Sequence, residues 1–207
     1  ETDHEWARIM SAPTTAAERE GTEEPRIIRQ FKANLEFTGG NAVKYEPSAL
    51  VAGATHQALA KGLEIGRRFH SAPVVRLADA KPMQLGHAAQ ADARWRLYVF
   101  AGQNDSGSPG SPVHQLAHWL QTHADSPVLQ HTLPGEDIDA VIDFRAVFQH
   151  TFEELDYSTL PSLLKPKTGK LGLQDHEKTF CVDHKGVGDI YEMRGIHREK
   201  GCMIVVR

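Results

Sequence analysis

Cysteine is scarce in this chain: Cys181 and Cys202 are the two in 207 residues, and they lie far apart. That usage does not make a disulfide scaffold and fits a reducing cytosol. No apolar run approaches the roughly 20 residues of a membrane helix, and no signal-peptide pattern opens the sequence. A cytoplasmic protein without a membrane partner is therefore expected. The formal charge of −4 comes with no basic block, so nucleic acid is not an expected partner either. Nucleotide and hydrolase signatures are missing. Gly186-Val187-Gly188 is a fragment of a dinucleotide loop, but Tyr191 stands where the third glycine belongs. There is no Walker loop, no G-x-S-x-G elbow and no internal repeat.

What the chain does have is the composition of a globular protein, 40% hydrophobic and 24% charged. Its length suits one domain, or one domain with a piece of another. The stretch that organises it is residues 65–102. A basic turn, Gly66-Arg67-Arg68, leads through Ser71-Ala72-Pro73 into the short apolar run of Val74, Val75 and Leu77. The strongest strand pattern follows at residues 94–101. Trp95, Leu97, Val99 and Ala101 line one face, with Tyr98 and Phe100 on the other, as in a strand with sheet on both sides.

Before that stretch the chain is helical. Residues 1–10 read as a helix with Asp3 as cap and Trp6, Ile9 and Met10 on one face. Residues 13–24 are polar and read as a linker. A second helix is expected from Pro25, with Ile27, Ile28, Phe31 and Leu35 along it and Gly39-Gly40 ending it. Residues 41–50 read as a loop or short strand, and residues 51–63 as the domain boundary. The first 62 residues hold too little apolar material for a core of their own.

After the strand, residues 102–112 form a loop of turn residues. Residues 113–122 are a helix whose inner stripe is Val113, Leu116, Ala117 and Leu120, with Trp119 near its margin. Residues 126–133 read as a short strand. Residues 137–148 alternate, with Ile142, Phe144, Ala146 and Phe148 inward and Asp143 and Arg145 outward, which predicts a half-exposed strand. Residues 151–164 read as a helix around Phe152, Leu155 and Leu160, disturbed by Pro161. Residues 165–183 are basic, punctuated by glycine and without a period. The end, residues 202–207, is a strand. These elements predict an α/β sandwich around about four strands. A chain that opens in mid-helix without Met and closes in mid-strand reads as cut at both ends.

The candidate chemical groups are weak. His114 and His118 have a metal-ligand spacing on a helix, but His123 lies on its other side and a solvated face explains them better. His70, His87, His176, His184 and His197 lie in loops without ligand spacing. A thioredoxin-type thiol pair would sit at the strand-to-helix junction of residues 101–112, which has no cysteine. Cys202 reads as a small buried hydrophobe and Cys181 as an exposed thiol with no evident activation. Asp137, Asp139 and Asp143 share a face that reads as exposed and polar. By motif alone no catalytic, cofactor-binding or metal residue is assigned.

Several long segments nevertheless carry a family likeness: RFHSAPVVRLADAKPMQLGHAA at 68–89, RWRLYVFAG at 94–102, IDAVIDFRAVFQ at 138–149, LKPKTGKLGLQDHEKTFC at 164–181 and DIYEMRGIHREKGCMIVVR at 189–207. With DHEWARIMS at 3–11 and the Phe31–Tyr45 region, they resemble the C-terminal part of FAD-dependent aromatic monooxygenases of the phenol 2-monooxygenase group, nearest the 3-hydroxybenzoate 4-monooxygenase branch. The resemblance implies that residues 1–62 are the helical tail of an upstream FAD and substrate domain. It implies that residues 63–207 are a thioredoxin-like C-terminal domain lacking the redox C-x-x-C and shortened at its end. The parent would hydroxylate a phenol with NADPH and O2 as a homo-oligomer, binding FAD and the aromatic substrate through upstream residues. This segment would be inactive by itself. Competing expectations are a free-standing, redox-inactive thioredoxin-like binding module, a thiol enzyme acting through Cys181 or Cys202, and a His114/His118 metal site.

Overall fold

The computed structural model describes residues 2–12, 14–182, 186 and 188–207, the side chains of Thr2, Asp3, Glu5 and Trp6 excepted. The expectations placed on the side chains of Asp3 and Trp6, and on His184 and Val187, lie outside what is described. Two compact units form: Glu1–Gly53 with Ile65–Arg68, and Ala54–Glu64 with Phe69–Arg207.

The first unit is helical: α1 (Thr2–Ser11), α2 (Ala16–Arg19) and α3 (Arg26–Thr38). The stretch expected to be a bare linker contains α2 because Thr15 and Glu18 make a reciprocal capping box. Glu18 also accepts the Arg26 backbone N–H at 2.6 Å, joining the end of the turn to the start of α3. Pro25, expected in the first turn, stands one residue earlier at the N-cap of α3, and Gly39 is its C-cap, where the sequence ends the helix. None of the α3 residues is buried, and Ile27, Ile28, Phe31 and Leu35 are exposed.

The second unit is built on a mixed six-stranded sheet rather than about four strands. Its strands are β1 (Pro73–Arg76), β2 (Lys81–Gln84), β3 (Trp95–Phe100), β4 (Ile142–Phe148), β7 (Thr179–Val182) and β8 (Cys202–Val206), in the order β2-β1-β7-β4-β3-β8. β3, β4 and β7 run parallel, and the remaining pairings are antiparallel. Two-residue strands β5 (Lys167–Thr168) and β6 (Leu173–Gln174) make a separate hairpin.

Alternation sends the side chains of β3 and β4 into two cores. Leu97, Val99, Phe144, Ala146 and Phe148 face α4 (Pro112–Thr122), whose Val113, Ala117 and Leu120 cover them. Tyr98, Phe100 and Val147 face Leu85, Ile190, Tyr191 and Ile196 on the opposite side. Each fully buried aromatic here contributes roughly 1.5–3 kcal/mol of transfer free energy relative to an exposed one.

Four local expectations change. Residues 126–133 contain a helix, α5 (Pro127–His131), not a strand. Pro127 occupies its first turn, where a missing N–H costs nothing, and Ser126 Oγ donates to Leu120 O at 2.5 Å. Residues 151–164 are not an α-helix but loop with two 3-10 turns, Tyr157–Thr159 and Ser162–Leu164. Asp156 caps the first through Ser158 N at 2.8 Å, and Pro161 separates the two. The segment still buries Leu155, Leu160, Leu163 and Leu164. Within residues 137–148, strand begins only at Ile142 and is central rather than half-exposed, since β7 and β3 flank it. Finally, the stretch without a period, residues 165–183, contains β7, buried at all four positions.

Gly201 shows how closely β8 approaches β3. Its φ is +63°, and a Cβ there would lie 2.1 Å from the Phe100 carbonyl oxygen. Gly201→Ala is expected to cost about 2–3 kcal/mol through combined backbone strain and overlap, measured by denaturant unfolding against the unchanged protein.

Candidate functional site

The parallel strands β3, β4 and β7 have their amino ends on one side of the sheet and their carboxyl ends on the other. At the amino ends lies a buried cluster of charge. Arg94 and Arg96 open β3, Asp143 and Arg145 lie on β4, and Lys178 immediately precedes β7. The register sets Arg96 opposite Asp143 and Tyr98 opposite Arg145.

Lys178 is fully buried and is held by three carboxylates: Asp139 at 2.5 Å, Asp143 at 2.7 Å and Asp175 at 3.1 Å. Asp143 receives Arg145 through its other oxygen at 2.8 Å. Arg145 also donates to Ala88 O at 2.7 Å. Arg94 reaches Asp139 at 3.0 Å and Asp92 at 2.8 Å, while Arg96 reaches Asp92 at 2.6 Å. Arg94, Arg96, Arg145 and Lys178 thus balance Asp92, Asp139, Asp143 and Asp175 without net charge.

Burial opposes the charge on Lys178, but Asp143 and Asp139 outweigh it and raise its pKa. Burial likewise pushes Asp92 up, yet the Arg94 N–H and the guanidiniums of Arg96 and Arg94 hold it at about 2. Asp175 is lowered against its burial by the Glu177 N–H and by Lys178. Ion pairs this closely matched neutralise one another inside the sheet. The cluster also lies opposite the carboxyl strand ends where open α/β sheets hold ligands.

At the carboxyl ends, the turn from β3 into α4 is closed by Asp105. Its buried carboxylate accepts Gly107 N at 2.9 Å and Val113 N at 2.8 Å. Ser111 caps the helix, accepting from His114 N. A carboxylate therefore occupies the helix terminus where a dinucleotide's diphosphate would seek N–H donors. These residues do not fit a flavin or nicotinamide dinucleotide.

Beside that turn, Tyr191 shares its hydroxyl proton between the carbonyl oxygens of Ala101 and Val147, both at 2.8 Å. Burial drives its pKa upward. Gln149 donates to Ala101 O at 3.0 Å and Arg198 O at 2.8 Å, and Arg198 pairs with Asp189 at 2.5 Å. An open cleft of about 430 Å³ lies here, lined by Tyr191, His197, Arg198, Lys61, Glu192 and neighbouring backbone.

The residues singled out in the sequence are scattered. His114 and His118 lie on α4, the latter exposed, and no group of three or more His, Cys, Asp or Glu suited to a metal occurs among the described residues. Cys181 is buried in β7 rather than exposed, and burial pushes its thiol to about 12. Cys202, half-buried on β8, is also pushed to about 12 by burial. Neither carries the thiolate that nucleophilic or redox chemistry requires near neutral pH. Asp139 and Asp143 are buried partners of Lys178 rather than an exposed face, and Asp137 instead accepts the Gly169 N–H at 2.8 Å. Nothing in the sequence marks Lys178 or Arg96, while Arg145, expected to face outward, is buried. The visible signal was Asp143-Phe144-Arg145, charges flanking an apolar residue in an otherwise apolar strand.

Sequence comparison places this geometry. The profile described as phenol hydroxylase, C-terminal dimerisation domain, matches residues 43–207. The chain belongs to this family. It is 47% identical over 206 residues to a 3-hydroxybenzoate 4-monooxygenase of Comamonas testosteroni, covering 99% of this chain and 32% of that protein. It is 33% identical over 175 residues to the FAD-dependent monooxygenase terD of Aspergillus terreus, covering 83% and 28%. With phenol 2-monooxygenase fsqG of Aspergillus fumigatus it shares 27% over 188 residues, covering 87% and 30%. The chain spans about a third of the length of these relatives. No described helix is long and apolar enough to cross a membrane.

The charge network of this dimerisation-family domain makes two measurable demands. Lys178→Met removes the cation that Asp139, Asp143 and Asp175 share, leaving Asp139 to Arg94 and Asp143 to Arg145, and is expected to cost about 3–5 kcal/mol; adding Asp139→Asn should recover part of that loss. Asp92 titrates at about 2 when folded against an ordinary 3.8. Its contribution is therefore complete above pH 4 and disappears as pH falls towards 2, with Asp175 acting in the same sense. The raised pKa of Lys178 keeps its contribution complete up to its ordinary 10.5. Urea unfolding across pH 2–5 should show the acid loss, reduced in Asp92→Asn.

Proposed function

We propose that this chain is the C-terminal part of an FAD-dependent aromatic hydroxylase acting on a phenol or 3-hydroxybenzoate type of substrate, with NADPH as reductant and O2 as oxygen source. The observation that carries this is the 47% identity across 99% of the chain to a 3-hydroxybenzoate 4-monooxygenase about three times as long. The family described as a dimerisation domain supports a homo-oligomer assembled through residues 43–207. The parent is assigned to the cytoplasm.

The segment contributes structure and interface rather than catalysis. Cys181 is buried and Cys202 half-buried, the carboxylates around Lys178 are matched by cations, and Asp105 fills the helix terminus after β3. FAD, the nicotinamide and the phenol are therefore assigned to polypeptide outside this chain, where the cofactor supplies the oxygen chemistry. Residues 1–62 are read as a helical tail of that flavin and substrate portion, consistent with an α3 that buries none of its own residues. Residues 63–207 are read as a thioredoxin-like domain without the redox cysteines. Parallel β3 and β4 joined through α4, with antiparallel β8 against β3, support that reading.

The complete protein should carry oxidised flavin absorption and consume NADPH faster when phenols are added. Product analysis under isotopically labelled O2 should find one labelled oxygen in a ring hydroxyl. A colourless protein, or NADPH consumption indifferent to every phenol tried, would refute the assignment. Cys181→Ser and Cys202→Ser should leave turnover within about twofold, as inert thiols require.

A further inference from the structure

Among the described residues of the sheet-bearing unit, the most exposed large apolar side chains are on the hairpin of β5 and β6. Leu171 is 83% exposed and Leu173 66%. The loop that anchors this hairpin carries Leu133, 64% exposed, and its Asp137 accepts the Gly169 N–H at 2.8 Å. Adjacent leucines this open to water are unfavourable unless another surface covers them.

The base of the hairpin is pinned on several sides. Asp175 N donates to Pro166 O at 2.8 Å, and Lys165 Nζ donates to Ser158 O at 2.6 Å while lying over the Tyr157 ring. The Tyr157 hydroxyl meets His176 Nδ1 at 2.9 Å and accepts from Gln174 Nε2 at 3.2 Å. The tip turns through Gly169 and Gly172, both at positive φ, with Gly172 N donating to Gly169 O at 3.0 Å. An anchored base with an apolar tip loses little conformational freedom on docking.

We infer that the Lys167–Gln174 hairpin is an arm that packs Leu171 and Leu173 against a second copy of this chain. The inference rests on the homo-oligomer reading above and deepens it by assigning an element to the contact. The occupant is a second copy because the hairpin lies inside the stretch matched as a dimerisation domain. Charge agrees: exposed Lys167 and Lys170 flank the leucines, while exposed Glu136 stands beside Leu133 on the anchoring loop. In a two-fold contact each copy offers the same surface, so the basic arm of one meets the acidic loop of the other. The leucines form the dry centre and the charges the rim.

The test is sedimentation of the complete protein over a concentration series, unchanged and with Leu171→Asp, Leu173→Asp and both. The unchanged protein should be a dimer. Each substitution should weaken association roughly tenfold or more, with the thermal unfolding midpoint of the dissociated form unaltered. Hydrogen exchange on the unchanged protein supplies a readout independent of the variants: residues 165–176 should be more protected above the dissociation concentration than below it. A dimer that tolerates the double substitution, or exchange in 165–176 indifferent to dissociation, overturns the arm and leaves the dimer. Protection of these residues in a dissociated monomer would instead mean that the same polypeptide covers the leucines. An unchanged protein that is monomeric throughout overturns both the arm and the oligomer.

Discussion

Lys178 is the point on which the sheet depends. Its ammonium lies beneath the amino ends of three parallel strands, where burial of any one charge would be prohibitive without its counterparts. Asp139 and Asp143 neutralise it directly, and the arginines of β3 and β4 complete the balance around those carboxylates. Replacing the whole set of charges by well-packed apolar residues would cost little stability, unlike removal of one partner. What charge adds is direction: each hydrogen bond admits one register, and a shift of one residue between β3 and β4 would separate Arg96 from Asp143.

From that constraint the division of the unit follows. The amino ends are locked by paired charge, while the carboxyl ends are closed by Asp105 on the α4 terminus and by Tyr191 on the last carbonyls of β3 and β4. At that end the protein's own side chains take up the helix terminus and the last strand carbonyls, beside the open cleft lined by Tyr191, His197 and Arg198. Membership of a family named for dimerisation fits the proposal that the domain presents surfaces to a partner copy, the anchored hairpin among them.

Much of this was legible in the sequence where the pattern was local. β3 alternates over six residues, α4 repeats at helical spacing between Pro112 and Thr122, and β8 is an unbroken apolar run, so all three could be placed. β7 could not, because Thr179–Val182 is too short for a period and emerges from a basic stretch. The 151–164 segment misled because its leucines suit a helix, whereas Asp156 and Pro161 direct the backbone into 3-10 turns.

The sequence by itself determined the α/β class, the strand and helix at the heart of the sheet, the absence of a thiol pair at their junction, and the family likeness. Those depend on neighbours a few residues apart. Only the tertiary structure decided that Asp143 and Arg145 face inward, that Cys181 is buried and that Leu171 is not. Alternation states that two residues share a face, but not whether that face meets water. For Asp143 the answer came from Lys178, 35 residues further along the chain, and a contact of that range exists only once the sheet has formed.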